Sequence, residues 1–80
     1  MGNTTLKMAQ AAIDKRDIPV TLERGTGYHY VIYDSAREKV YDTESTMICY
    51  TSDLSPKEWA DEAERLWEII KARLISIGTM

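Results

Sequence analysis

The fold is decided by one stretch, Asp53-Leu54-Ser55-Pro56-Lys57-Glu58-Trp59, which holds the components of a helix start in the correct order. Ser55 can accept hydrogen bonds as the N-cap, Pro56 takes the first helical position, where its missing N–H costs nothing, and Glu58 can complete a capping box. Leu54 and Trp59 fall at the two positions of a hydrophobic staple, which fixes the angle at which the chain enters a helix. The stretch therefore predicts a helix that begins at residue 56.

The predicted helix extends over residues 56–77 and ends before Gly78, because glycine commonly terminates helices. Its exposed positions are acidic early and basic late, with Lys71 and Arg73 near the end, and this order complements the helix dipole. Apolar residues recur at spacings of three and four, so they form one stripe that can cover a sheet. The stripe consists of Trp59, Ala63, Leu66, Trp67, Ile70, Leu74 and Ile77.

Upstream of this helix, the pattern predicts one further helix and then strands. An apolar face predicts a short N-terminal helix over residues 4–16. Because Pro19 cannot donate a hydrogen bond to a neighbouring strand, we expect residues 19–24 to form an edge strand. Residues 28–33 are apolar or aromatic on both faces, which predicts the central strand of a sheet.

The third part of the sheet is less sharply defined by the pattern. Residues 34–38 are typical of a hairpin connection, and β-prone runs follow at 39–43 and 46–50. These runs are either one bent strand or two short strands. The sequence thus predicts an α+β fold in the order α-β-β-β-α, in which a small antiparallel sheet of three to four strands carries both helices on one face.

Composition and charge narrow the class of protein. With 80 residues, of which 44% are hydrophobic and 29% charged, the chain predicts a single globular domain over residues 1–80. Residues 42–68 hold eight acidic and two basic residues, whereas proteins that bind phosphate backbones normally have the opposite charge. We therefore expect no direct nucleic-acid partner. The single cysteine, without a signal peptide or a membrane-spanning run, predicts a cytoplasmic protein with no membrane partner.

No set of residues in the sequence indicates catalysis. His29 is the only histidine and has no second histidine or cysteine at ligand spacing, so we expect no metal site. Cys49 has no histidine or basic neighbour in its apolar run, which predicts an inert, buried thiol. Asp42 and Glu44 share one side of a strand, and a catalytic pair of carboxylates needs one member whose pKa is raised by burial. The polar residues around them indicate exposure instead. We expect a protein without enzyme activity, cofactor or metal.

Tyrosine is the residue type that most suggests binding. Tyr28 and Tyr30 share one face of the predicted strand and Tyr33 lies on the other, so at least one tyrosine faces away from the helices. Either the tyrosines form a binding surface, because tyrosine brings large contact area at low entropic cost, or they serve ordinary cross-strand packing. The acidic residues of 42–68 likewise either contact a basic partner or simply solvate a helix face.

Three stretches together resemble small proteins encoded by phages and mobile elements, among which the anti-CRISPR proteins are prominent. The resemblance covers roughly residues 20–70, and it lies in Gly27-Tyr28-His29-Tyr30, in Tyr41-Asp42-Thr43-Glu44-Ser45 and in Asp53-Leu54-Ser55-Pro56-Lys57-Glu58-Trp59. It implies a stoichiometric inhibitor that binds a CRISPR-Cas effector or nuclease of the bacterial host. The contact residues expected for this role are Tyr33, Tyr41, Asp42, Glu44, Glu58 and Glu62.

Other functions remain open at this level. The chain is alternatively a homodimeric accessory module whose exposed sheet face pairs with itself, or a single-strand nucleic-acid binder that stacks bases on tyrosines but lacks a basic groove. For the inhibitor, reversing Glu44, Glu58 and Glu62 to lysine is expected to weaken partner binding while leaving thermal stability nearly unchanged.

Overall fold

The computed structural model describes residues 3–78, and the predicted α-β-β-β-α order is confirmed. A 3-10 turn precedes the second helix. The elements are α1 (Leu6–Lys15), β1 (Thr21–Arg24), β2 (His29–Ser35), β3 (Val40–Thr46), the turn Thr51–Asp53 and α2 (Pro56–Ser76).

The sheet is antiparallel in the order β1-β2-β3, so the predicted central strand is indeed central. Its two faces differ because alternate side chains of β2 point in opposite directions. His29, Val31 and Tyr33 are buried under the helices, whereas Tyr30 and Ile32 lie on the opposite side. One face of the sheet therefore carries both helices, and the described residues leave the other face uncovered.

The start of α2 is confirmed in detail. The Ser55 side chain accepts a hydrogen bond from the Glu58 N–H at 3.2 Å, and the Glu58 carboxylate accepts one from the Ser55 N–H at 2.8 Å. Leu54 packs against the core that contains the fully buried Trp59, as the staple requires. At the other end Gly78 has a φ of +79°, the left-handed conformation that ends helices.

The core lies between the helices and the covered sheet face. One member of the predicted stripe is wrong: Ile77 is 68% exposed and lies just past the end of α2, as its C-cap residue. The buried hydrophobic cluster consists of Ala9, Ile13, Ile18, Val20, Leu22, Val31, Tyr33, Trp59, Ala63, Leu66, Ile70 and Leu74.

The predicted strand at 46–50 is also wrong. β3 is one strand that ends at Thr46, whose partner His29 is the first residue of β2. Residues 47–50 therefore have no strand to pair with, and the chain leaves the sheet as an irregular loop.

The outer edge of β1 is closed by a side chain of α1. The side-chain Oε1 of Gln10 accepts a hydrogen bond from the Leu22 N–H at 2.7 Å, and its Nε2 donates to the Val20 carbonyl at 3.1 Å. One glutamine thus occupies a backbone donor and a backbone acceptor that would otherwise be available to another strand. Natural proteins protect edge strands in this manner because an open edge pairs with other chains.

Replacing Gln10 with alanine tests this protection. We expect Gln10→Ala to lower the free energy of unfolding by about 1–2 kcal/mol, because two partly buried backbone groups lose their partner. We also expect concentration-dependent association through the opened edge. Urea denaturation and light scattering measure the two effects, and Lys7→Ala is the control on the same helix. A Gln10→Ala variant as stable and as monomeric as the control would contradict this role.

Candidate protein-binding surface

The uncovered sheet face carries three tyrosines and an isoleucine, and we call Tyr28, Tyr30, Ile32 and Tyr41 the tyrosine face. Tyr41 is 66% exposed, and the rings of Tyr28 and Tyr30 lie 5.8 Å apart at a tilt of 34°. A shallow depression runs beside this ring pair and is bordered by Thr43, Glu44 and Ser45 of β3. The expectation that at least one tyrosine faces away from the helices is therefore confirmed.

A neighbouring loop, residues 47–50, continues this surface. Met47 is 85% exposed and Tyr50 is 63% exposed. The loop lies beside the turn before Tyr28, because the Cys49 thiol donates to the Gly27 carbonyl at 3.3 Å. The predicted burial of Cys49 is wrong: the thiol lies on an exposed loop, since β3 ends before it.

His29 holds the 47–50 loop from inside the protein. Its Nδ1 lies 2.7 Å from the Ile48 carbonyl oxygen, which can only accept, so Nδ1 carries the proton. Its Nε2 then accepts from the Thr51 hydroxyl at 2.8 Å. The Trp59 ring packs against the imidazole at a centroid distance of 4.8 Å and a tilt of 46°, and its indole N–H donates to the Thr51 carbonyl at 2.7 Å. His29 is a positioning residue for the loop, a role that its place in the sequence did not reveal.

The structure separates the two tyrosines that were expected to contact a partner. Tyr41 belongs to the tyrosine face, but Tyr33 points toward the helices and is only 9% exposed. Its ring packs on Trp67 at 4.9 Å, and its hydroxyl donates to Glu38 at 3.2 Å. The burial of Tyr33 does not suit the contact role expected for it, because Tyr33 shares the covered side of β2 with Val31.

Asp42 and Glu44 also lie on the helix side of β3, which corrects the expectation that they are freely exposed. Both are half-buried and bind Arg73 of α2, at 2.9 Å for Asp42 and 3.0 Å for Glu44. Hydrogen bonding to Asp42, and then to Glu44, raises the pKa of Arg73. Arg73 also donates to the Thr43 carbonyl at 3.1 Å, so it covers the outer edge of β3 as Gln10 covers that of β1.

Glu58 and Glu62 of α2 are engaged as well. Glu58 closes the capping box, and Glu62 accepts from the Arg65 guanidinium at 3.1 Å. The Arg65 hydrogen bond lowers the pKa of Glu62, against the opposing effect of burial. Because these carboxylates stabilise the fold, we expect reversal of Glu44, Glu58 and Glu62 to lower thermal stability, contrary to the expectation from the sequence.

The carboxylates that remain unengaged lie mostly on the tyrosine face. Among residues 3–78, the acidic side chains without a hydrogen bond or salt bridge are Asp17, Glu23 and Asp34. In the strand register Glu23 is directly opposite Tyr30, and Asp34 is directly opposite Tyr41. Directly opposite residues point to the same face, so both carboxylates stand beside a tyrosine. Neither was expected, because finding them requires the register.

The described part of the chain offers no cluster of three or more His, Cys, Asp or Glu that could hold a metal ion. Within the same range, neither α1 nor α2 combines the length and hydropathy needed to cross a bilayer. Comparison with known proteins gives no match: no family model fits the chain, and no curated protein or solved structure is significantly similar to it.

Proposed function

We propose that this protein is a non-enzymatic inhibitor, encoded by a phage or mobile element, that binds a CRISPR-Cas complex in the cytoplasm of its bacterial host. The observation that carries the binding role is the tyrosine face, an uncovered sheet surface with Tyr28, Tyr30 and Tyr41 exposed or half-buried. Tyrosine is enriched at the centres of protein interfaces because it combines a large apolar ring with a hydroxyl and few rotatable bonds. The CRISPR-Cas target rests on the resemblance described above.

The size of the face indicates how far the contact must extend. Three strands about 4.8 Å apart, two of seven residues and one of four at about 3.3 Å per residue, span roughly 300 Å² in projection. A standard interface buries about 800 Å² on each partner. We therefore expect the contact to include the 47–50 loop, whose Met47 and Tyr50 are strongly exposed.

A homodimer through the same face is the less favoured arrangement. Pairing two copies would enclose Glu23 and Asp34 of both chains in one interface. The strand residues that point to this face include no lysine or arginine to neutralise them, and like charges brought together oppose association. A different protein, with complementary charge, fits this face better than a second copy.

A plaque assay tests the proposal. Bacteria with active CRISPR systems of several types would express the protein and be challenged with phages that those systems target. We expect the wild type to restore plaque formation in at least one host. The double variant Tyr30→Thr/Tyr41→Thr, which keeps β-propensity but removes both rings, should lose this effect, since two interface hot spots are together worth at least about 30-fold in affinity.

The control is Met8→Gln, which removes an exposed apolar side chain from α1 on the other side of the molecule. It should protect the phage as the wild type does, and melting temperatures must show that all variants fold. Failure of the wild type in every host would overturn the inhibitor proposal. Equal protection by the double tyrosine variant would show that the tyrosine face is not the contact.

A further inference from the structure

We propose that the tyrosine face recognises basic side chains of its protein partner, with arginine preferred, at two matching positions. This inference rests on the proposed function and names the chemistry of its partner. The two positions are the cross-strand pairs Glu23–Tyr30 and Asp34–Tyr41. In each pair the acidic residue and the tyrosine are on the same face of the sheet, with their Cβ atoms about 5 Å apart.

The state of these carboxylates is the first argument. Ion pairs and hydrogen bonds within residues 3–78 engage the acidic side chains of α2 and β3, including Asp61 and Glu64, which bind Arg16 at 2.7 Å and 3.1 Å. Glu23 and Asp34 have no such partner among the described residues. Two available negative charges thus stand on the one face that nothing in the described chain covers.

The absence of cations on the face is the second argument. The side chains that β1, β2 and β3 present there are tyrosine, isoleucine, threonine, serine and the two carboxylates. The nearest basic residue to Glu23 along the chain is Arg24, which pairs with His29 and so points to the other face of the sheet. The nearest to Asp34 are Arg37 and Lys39 in the turn after β2, and none of the three forms a described salt bridge with either carboxylate. The face therefore complements a positively charged surface.

The pairing of ring and carboxylate is the third argument. A guanidinium can stack on an aromatic ring and at the same time donate two parallel hydrogen bonds to a carboxylate. The ammonium group of lysine is a point charge that cannot stack on the ring and form the paired hydrogen bonds together, so arginine is the better fit. A nucleic acid, by contrast, would bring phosphates toward Glu23 and Asp34, which disfavours base stacking on the same tyrosines.

An NMR titration of the ¹⁵N-labelled protein with an N-acetylated tetra-arginine amide tests the inference. We expect amide shifts concentrated at Glu23, Tyr30, Asp34 and Tyr41. The variant Glu23→Gln/Asp34→Asn keeps the shape of the face and should bind at least about tenfold more weakly. Asp17→Asn is the matched control, because Asp17 is also unengaged but lies in the connection after α1, and it should bind as the wild type does.

Three results of such titrations would overturn the inference: shifts that persist in the double amide variant, shifts centred on the acidic side of α2, or tighter binding of oligothymidylate than of the arginine peptide. The plaque assay with the same variant separates this inference from the proposed function. If Glu23→Gln/Asp34→Asn protects the phage fully while Tyr30→Thr/Tyr41→Thr does not, the inhibitor function stands and cation recognition is wrong. Peptide binding without any protection would instead retain the cation site and reject the inhibitor.

Discussion

Trp59→Ala is expected to remove a large part of the free energy of unfolding. Trp59 is fully buried at the centre of the core, and removing a buried tryptophan side chain costs about 3–5 kcal/mol. A domain of 80 residues has a total stability of roughly 4–12 kcal/mol. The variant also removes the hydrogen bond that the Thr51 carbonyl accepts from the Trp59 indole N–H, and this bond links the 3-10 turn to α2.

Urea denaturation followed by circular dichroism measures this loss. Trp59→Phe separates the two contributions, because it keeps an aromatic ring in the core and removes the hydrogen bond. We expect the lost hydrogen bond to lower the free energy of unfolding by about 1–3 kcal/mol, in addition to the loss caused by the smaller side chain. Trp67→Ala should cost less than Trp59→Ala, since Trp67 is only partly buried against Tyr33. A Trp59→Ala variant with a wild-type midpoint would show that the core is not organised around this residue.

His29→Leu is expected to have the second largest effect. Leucine fills a similar apolar space, but the Ile48 carbonyl and the Thr51 hydroxyl lose the imidazole to which they are hydrogen-bonded. Each unsatisfied buried group costs about 1–3 kcal/mol, so we expect a loss of about 2–6 kcal/mol in the free energy of unfolding. The loss should be accompanied by loosening of residues 47–51, because His29 holds that segment from below.

Hydrogen exchange distinguishes this local effect from a general loss of stability. The amides of Tyr50 and Asp53, which are hydrogen-bonded to the Asp53 carboxylate and to the Tyr50 carbonyl, should lose protection in His29→Leu more than those of β2 and β3. His29→Asn is the informative second variant, because its side-chain amide can still donate toward the Ile48 carbonyl, and it should be intermediate in both measurements. A uniform change of protection across the sheet would argue against a specific role of His29 in positioning the loop.

Local signals in the sequence were sufficient for most of the fold. The start of α2 depends on hydrogen bonds between residues three apart, so the order Ser55, Pro56, Glu58 determines it without knowledge of the rest of the chain. The alternation along β2 likewise separates Tyr30 from Tyr33. It does not tell which side the helices cover, and for this reason Tyr33 was placed among the contact residues although it is buried.

The candidate site depends on contacts between residues distant in sequence. Asp42 and Glu44 belong to an acidic segment, but both pair with Arg73 of α2, about thirty residues away. The pairs of the tyrosine face require the strand register, which turns such as the one at Lys39, with a φ of +57°, help to set. Charge counts along the sequence therefore pointed to carboxylates that are engaged within the fold, and the unengaged carboxylates emerged only from the pairing of strands.

Hydroxyl-radical footprinting is the most direct test of the claim that the tyrosine face is the binding surface. The protein alone and the protein bound to the CRISPR-Cas complex proposed as its target would be compared residue by residue. We predict that Tyr30 and Tyr41 lose reactivity on binding together with Met47, while Met8 on α1 stays as reactive as in the free protein. Protection of Met8 with unchanged reactivity at Tyr30 and Tyr41 would place the contact on the helices and contradict the account.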